Sequence, residues 1–314
     1  MFGKSTWEKI WNNRAYLKNH FYNLHVHLAK RQEIMRVRKM ILKLIEILFT
    51  FFFAFPIFWN LIGSLAPKDV IWEAFQKLEA GSFVRFADFV GSFSLEQYQI
   101  ILFQTPDYLQ RFWNSVFLVA PIVCFQLIIA LFTSYGFCRV KGKAAAMLFF
   151  LYMMLMMMPY QVTVIPNYIA MKQLHLTETN WSIWLPGIFS PFSVYLLTKY
   201  MKRIPKGLFD AARIDGAGEI RIAVSVAFPV CKGQIAACGL LILFDYWNMA
   251  ELPLVMFSNA SSYPLSVYLS RVQEKDAGIA FAAAVIYLIP VLFLFLAGEE
   301  ELREGLSAVS GIKE

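Results

Sequence analysis

Six long apolar runs dominate the hydropathy pattern, at 41–63, 113–136, 144–168, 181–199, 233–253 and 277–297. A helix needs about 20 apolar residues to cross a hydrocarbon core of ~30 Å, and each run comes close to that or exceeds it. The runs are continuous, whereas barrel strands alternate apolar and polar side chains over about 10 residues. The pattern therefore predicts an all-α integral membrane protein with six transmembrane helices. The first run stands behind a long charged head, too far from Met1 for a cleaved signal peptide. The expected organisation is a basic head at 1–40, a first span at 41–63, a loop at 64–112, a five-span core at 113–297 and a tail at 298–314.

Lysine and arginine positions orient these spans. Nine lie in the head, three in the connection between runs two and three (Arg139, Lys141, Lys143), seven between runs four and five, and two in the tail. The opposite side carries only Lys68, Lys77, Arg85, Arg111, Lys172, Arg271 and Lys275. Positive charge stays on the cytoplasmic side, so both termini are expected there. The run Glu299-Glu300-Glu301 does not alter this, because carboxylates contribute little to the rule.

Composition agrees with the pattern. The chain is 58% hydrophobic and only 16% charged, against roughly 25% charged in soluble domains. Its mean hydropathy is +0.53, which also excludes disorder. The net charge of +7 is first an orientation signal. Aromatic and basic residues alternate in the head (Trp7, Trp11 and Tyr16 among Lys9, Arg14 and Lys18). Such a segment resembles nucleic-acid-binding chemistry, but it leads directly into a span, so a helix on the membrane surface is the expectation and no nucleic-acid partner is assigned.

Several features invite chemistry that their surroundings do not support. Cys124, Cys138, Cys231 and Cys238 form no CxxC and are expected to be free thiols. The methionines from Met153 to Met158 are soft ligands, yet no His or Cys stands at partner spacing, and Met is also adaptable packing. His25 and His27 lack further zinc ligands nearby. Gly3-Lys4-Ser5-Thr6 mimics the end of a phosphate-binding loop without the preceding glycine and strand.

The connection IPKGLFDAARIDGAGEIRIAVSVAFP, at 204–229, is the most informative segment. Pro205 suits the start of a helix, Leu208, Ala211 and Ala212 share one face, and Gly216 suits its end. Gly218 adds slack before a second helix through Ile222 and Val226 to Pro229. A small-residue face lets a partner backbone approach closely, as a lever moved by another subunit requires. A re-packed connecting loop satisfies the same pattern equally well.

This segment resembles the EAA loop of binding-protein-dependent ABC importer permeases. Asp210-Ala211-Ala212, Gly216 and Val226-Ala227-Phe228-Pro229 keep the spacing of that loop, with Asp210 in place of the usual glutamate. RFWNSVFLVAP (111–121), SYGFCRVKGK (134–143), MMPYQVTVIPNY (157–168), YWNMAELPL (246–254) and GLSAVSGIKE (305–314) are similar, in order, to further stretches of the carbohydrate-uptake, maltose-type permeases. The resemblance covers about residues 95–314 and implies a permease of a bacterial or archaeal plasma membrane. It implies that 204–219 docks as a coupling helix on a separate dimeric ATPase, through Asp210, Ala211, Ala212, Asp215, Gly216 and Ala217. ATP and Mg are then used by that ATPase, and the chain itself holds no cofactor or metal and is not an enzyme. The other implied partners are a second permease, alike or different, an extracytoplasmic solute-binding protein touching a loop that includes Asn259 to Pro264, a sugar, and membrane lipid.

The fifth run carries the carboxylate Asp245. Intramembrane charge is costly and usually faces a cavity or partner, and the family generally has a small residue here. Asp245 is expected either to line the sugar path with Tyr246, Trp247 and Asn248 or to pair with the second permease. Gln161 and Asn167 are weaker path candidates, because interhelical hydrogen bonds explain them as readily, and Gln126 reads as packing. Another polar cargo, such as a glycerol-phosphate, leaves the class unchanged. An ion-coupled carrier needs coupling groups, often in two repeated halves, and no convincing inverted repeat is present. A membrane-embedded enzyme would cluster its histidines, and here they are scattered.

Overall fold

The computed structural model describes residues 35–84, 89, 93–271 and 276–303, and among these every regular element is helical. The surface helix expected in the head, the Gly3–Thr6 and His25/His27 motifs and the tail match from Gly305 onward lie outside the described residues. The chain divides into two units, 1–59 and 60–314.

In the first unit the described residues belong to one helix, α1 (Met35–Ser64), whose apolar window has no buried share. Phe49, Phe52 and Phe53 stand 56–71% exposed on it among the described residues.

The second unit is built around α3 (Pro106–Arg139), which follows the amphipathic α2 (Lys68–Glu79). At ~1.5 Å per residue the 34 residues of α3 reach about 50 Å, far more than a bilayer core. It is longer than a single crossing requires. Leu118 and Ile122 of α3 form one buried cluster with Leu197 and Met201 of α7 (Pro191–Met201) and with Cys238 and Ile242 of α10 (Lys232–Trp247). Polar ties cross the same contacts. The Gln126 amide donates to Ser193 Oγ at 2.8 Å, and Ser134 Oγ donates to the Val194 carbonyl at 2.9 Å. Gly187 of α6 (Trp181–Ile188) lets that helix approach α3 closely, since a Cβ there would stand 3.1 Å from Ile122.

Three helices are long and apolar enough to cross a membrane singly: α1, α3 and α13 (Ala277–Ala297). Two more spans result if each bent pair counts as one. The expected continuous run 144–168 is instead α4 (Lys143–Met156) and α5 (Tyr160–Gln173), which meet at 100°. Pro159 causes the elbow, because a proline excludes helical backbone from the residue before it and lacks the N–H that would continue the ladder. The run 181–199 breaks for the same reason. Ser190, ahead of Pro191, is extended at φ −129°, ψ 116°, and its hydroxyl caps α7.

The expected second helix of the 204–229 connection is α9 (Glu219–Val230), which bends by 81° into α10 at Cys231. The run 233–253 also ends early. α10 stops at Trp247, and a separate α11 (Glu251–Met256) begins three residues after Asn248. α12 (Leu265–Leu269) then precedes α13.

Candidate functional site

The 204–229 connection forms a compact helical corner. α8 (Lys206–Ile214) starts after Pro205. It ends where Gly216 takes φ +79°, with its N–H on the Arg213 carbonyl at 2.9 Å and the Ala217 N–H on the Ala212 carbonyl at 3.0 Å. A glycine supplies this left-handed step without strain.

The faces of α8 divide differently from the sequence expectation. Phe209 is the buried anchor, 2% exposed, under the Arg139 guanidinium at 5.0 Å and against the Tyr135 ring at 6.3 Å. Ala212 and Ala217 are half-buried against the core. Leu208, Asp210, Ala211, Asp215 and Gly216 remain exposed. At the tip, Ile214 is 88% and Ile220 74% exposed. Ala212 thus belongs to the inward face, not with Ala211 and Leu208 on the outward one.

Glu219 ties this corner to the end of α3. Its Oε2 accepts a 2.6 Å hydrogen bond from the Tyr135 hydroxyl and lies 3.5 Å from Arg139 Nε. Its Oε1 accepts from Arg213 Nε at 3.1 Å and also from Arg213 Nη2. Arg213 also pairs with Asp210 at 3.7 Å. The Tyr135 hydroxyl first, and Arg213 with it, hold the Glu219 carboxyl below its ordinary value. Sequence reasoning missed Glu219, whose partners Tyr135 and Arg139 lie far away along the chain.

A second region is a cavity of about 480 Å³ where α5, α10 and α11 meet, lined by Tyr160, Gln161, Asp245, Tyr246, Asn248, Met249, Ala250 and Glu251. Tyr160 and Gln161 open α5 just after the elbow. Asp245 occupies the last turn of α10, where the helix dipole disfavours an anion. A carboxylate kept there contributes nothing to helix stability. Asp245 is also not the only carboxylate of run 233–253, since Glu251 faces the same cavity. Neither has a hydrogen-bond or ion-pair partner among the described residues.

Four of the five residues expected on the path, Gln161, Asp245, Tyr246 and Asn248, line this one cavity, and Trp247 does not. Trp247 is 5% exposed and stacks on Tyr287 with ring centroids 5.6 Å apart, donating from Nε1 to the Tyr287 carbonyl at 3.3 Å. The Tyr287 hydroxyl contacts both the Trp247 carbonyl at 2.7 Å and Asn248 Oδ1 at 2.9 Å. The Asn248 amide donates to the Phe244 carbonyl at 2.8 Å, so both of its ends already have protein partners. Asn167 lies on α5 but does not line the cavity. Tyr160 and Glu251 were not expected. The elbow at Pro159 brings Tyr160 here, and Glu251 sits where run 233–253 was read as one unbroken helix.

Elsewhere in the unit, Glu178 clasps the segment after α11. Its carboxylate accepts from the Ser258 N–H at 2.9 and 3.0 Å and from Ser258 Oγ at 2.6 Å. Glu178 holds φ +66° to do so. The Ser258 hydroxyl, followed by its N–H, lowers the Glu178 carboxyl from its ordinary value.

Residues 126–299, more than half of the chain, match the family described as binding-protein-dependent transport system inner membrane component. The arabinooligosaccharides transport system permease protein AraQ of Bacillus subtilis is 26% identical over 280 residues, which is 88% of this chain and 96% of that protein. The lactose transport system permease protein LacG of Rhizobium radiobacter is 24% identical, covering 80% and 89%. In the crystal structure of a bacterial ABC transporter involved in import of the acidic polysaccharide alginate, one chain superposes with a TM-score of 0.71 at 20% identity. That match covers 84% of this chain and 96% of the other.

Proposed function

The chain belongs to the family of binding-protein-dependent transport system inner membrane components, and from that premise we propose that it is the transmembrane permease subunit of an ATP-driven ABC importer for a sugar or oligosaccharide. The curated relatives named above are permeases for such cargo, and the observation in this chain that supports the reading most directly is the corner 204–229. It buries Phe209 against α3 while presenting Leu208, Ala211, Ile214 and Ile220 outward. Exposed apolar side chains at a polar, basic connection favour a protein partner over water. That partner is a dimeric ATPase, which uses ATP and Mg and whose closure moves α8 and, through Phe209 and Glu219, the end of α3.

The proposed topology has six spans with both termini in the cytoplasm of a bacterial or archaeal cell. The third and fifth spans are the two bent pairs, α4 with α5 and α9 with α10, and the fourth is α6 with α7. The cavity lined by Asp245, Glu251, Gln161 and Tyr160 is the substrate path. It is completed by a second permease and loaded by an extracytoplasmic binding protein on the side of the Glu178–Ser258 clasp. Alternating access then requires two packings of the helices biased by the ATPase.

The test is purification of this chain from its own membrane in mild detergent, with stoichiometric partners identified by mass spectrometry. A second permease and an ATPase are expected, and Gly216→Arg should release the ATPase alone. Recovery of the chain without any ATPase overturns the reading.

A further inference from the structure

We infer that the cavity selects cargo by charge, admitting neutral and amino-bearing glycans and refusing those that carry carboxylates or phosphates. This rests on the reading of the cavity as the substrate path. It goes beyond that reading by naming what passes.

None of the eight lining residues is basic, and two are acidic. Asp245 and Glu251 are exposed to the cavity without a hydrogen-bond or ion-pair partner among the described residues, so their oxygens are available to a ligand. A carboxylate only accepts hydrogen bonds. The vicinal hydroxyls of a sugar only need to turn their protons toward it, and an ammonium group adds charge-assisted bonds. Gln161 supplies both a donor and an acceptor. The Tyr160 and Tyr246 rings offer apolar faces for the C–H side of a pyranose.

An anionic sugar meets the opposite situation. Its charge lies among two like charges with no cation among the eight residues that this chain contributes, and like charges at short range in a part-hydrated site repel strongly. Rejection of this kind is specificity by an unfavourable contact rather than by a better fit. The alginate importer shares this fold at 20% identity, and likeness of fold at that distance does not carry over the charge of the cargo.

The experiment uses the whole importer in nanodiscs without its binding protein, with Ala250→Cys on the cavity wall as reporter. Maleimide labelling of Cys at 250 is followed by mass spectrometry, which separates it from Cys124, Cys138, Cys231 and Cys238. Maltotriose, the glucosamine trimer and trigalacturonate are the probes.

Maltotriose and the glucosamine trimer should slow labelling. Trigalacturonate should need about tenfold higher concentration for equal protection, as one like-charge contact predicts. High salt should narrow the gap, and Asp245→Asn with Glu251→Gln should close it. Equal protection by all three trimers in the parent overturns charge selection and leaves the path intact. Protection by none overturns the cavity as the path. Because both decisive comparisons use the Ala250→Cys reporter with Asp245 and Glu251 intact, poor folding of the double variant does not blunt them.

Discussion

The Tyr135 hydroxyl donates a 2.6 Å hydrogen bond to Glu219 Oε2 across 84 residues of sequence. It joins the far end of α3 to the first residue of α9, and Arg213 brings α8 into the same contact. Three elements at the proposed ATPase face are thereby held by one carboxylate. Glu219→Gln and Tyr135→Phe should both loosen this corner. Glu219 is about half exposed, so solvent screening limits the loss to about 1 kcal/mol. The transport-to-hydrolysis ratio of the reconstituted importer should fall about fivefold. An unchanged ratio in both variants would remove the carboxylate from coupling.

Gly216 offers a sharper test of backbone against bulk. A Cβ there would meet nothing within 4 Å, yet φ is +79°. Substitution should therefore cost conformational energy only. Gly216→Ala should destabilise the corner by about 1 kcal/mol, Gly216→Asn by less, and Gly216→Val by more. Thermal unfolding of the purified complex, ranked across the three, checks the order. A steric cause would instead rank them by volume.

The Glu178 clasp should respond to acid. Its carboxyl lies below the ordinary value because the Ser258 hydroxyl and N–H favour the anion. A depressed folded value contributes stability that is complete above the unfolded value of about 4.3. That stability is lost as pH falls through the folded value. The protection of the Ser258 amide against hydrogen exchange, taken relative to its intrinsic rate at each pH, should therefore fall on acidification. Glu178→Gln should show fast exchange at every pH and no such step.

Trp247 and Asp245 should separate structure from transport. Trp247→Ala removes a buried ring stacked on Tyr287 and should cost about 3–5 kcal/mol of stability, seen as lost yield and a lower melting midpoint. Asp245→Asn and Asp245→Ala should leave folding intact, because the side chain has no hydrogen-bond or ion-pair partner among the described residues. Uptake of labelled sugar should fall in both. Full uptake in both removes Asp245 from the path.

Local backbone chemistry made parts of this fold legible in sequence. Pro205 and Gly216 bracket α8 because their constraints act within a turn. The corner's packing was not legible, since which face of α8 turns inward is decided by Phe209 meeting Arg139 and Tyr135. Hydropathy runs also hid the breaks at Pro159 and Pro191. An apolar window averages over a residue that ends a helix without changing its solvent preference. Trp247 illustrates the same limit: its neighbours Tyr246 and Asn248 line the cavity, and only the tertiary position of Tyr287 reveals that the indole turns away. Tyr160 enters the cavity wall only because of the turn that the run concealed.

The elbow at Met157–Pro159 gives the α4–α5 pair the mechanics of a crank. α4 packs on α7, while α5 packs on α6 and α11 and carries Tyr160 and Gln161 into the cavity wall. The two arms are thus fastened to different neighbours and meet at a joint where proline has already ended the hydrogen-bond ladder. Swinging one arm changes a few torsions at the joint and ruptures no regular helix. The wall of the cavity can therefore be displaced as a stiff plate while the other arm stays seated.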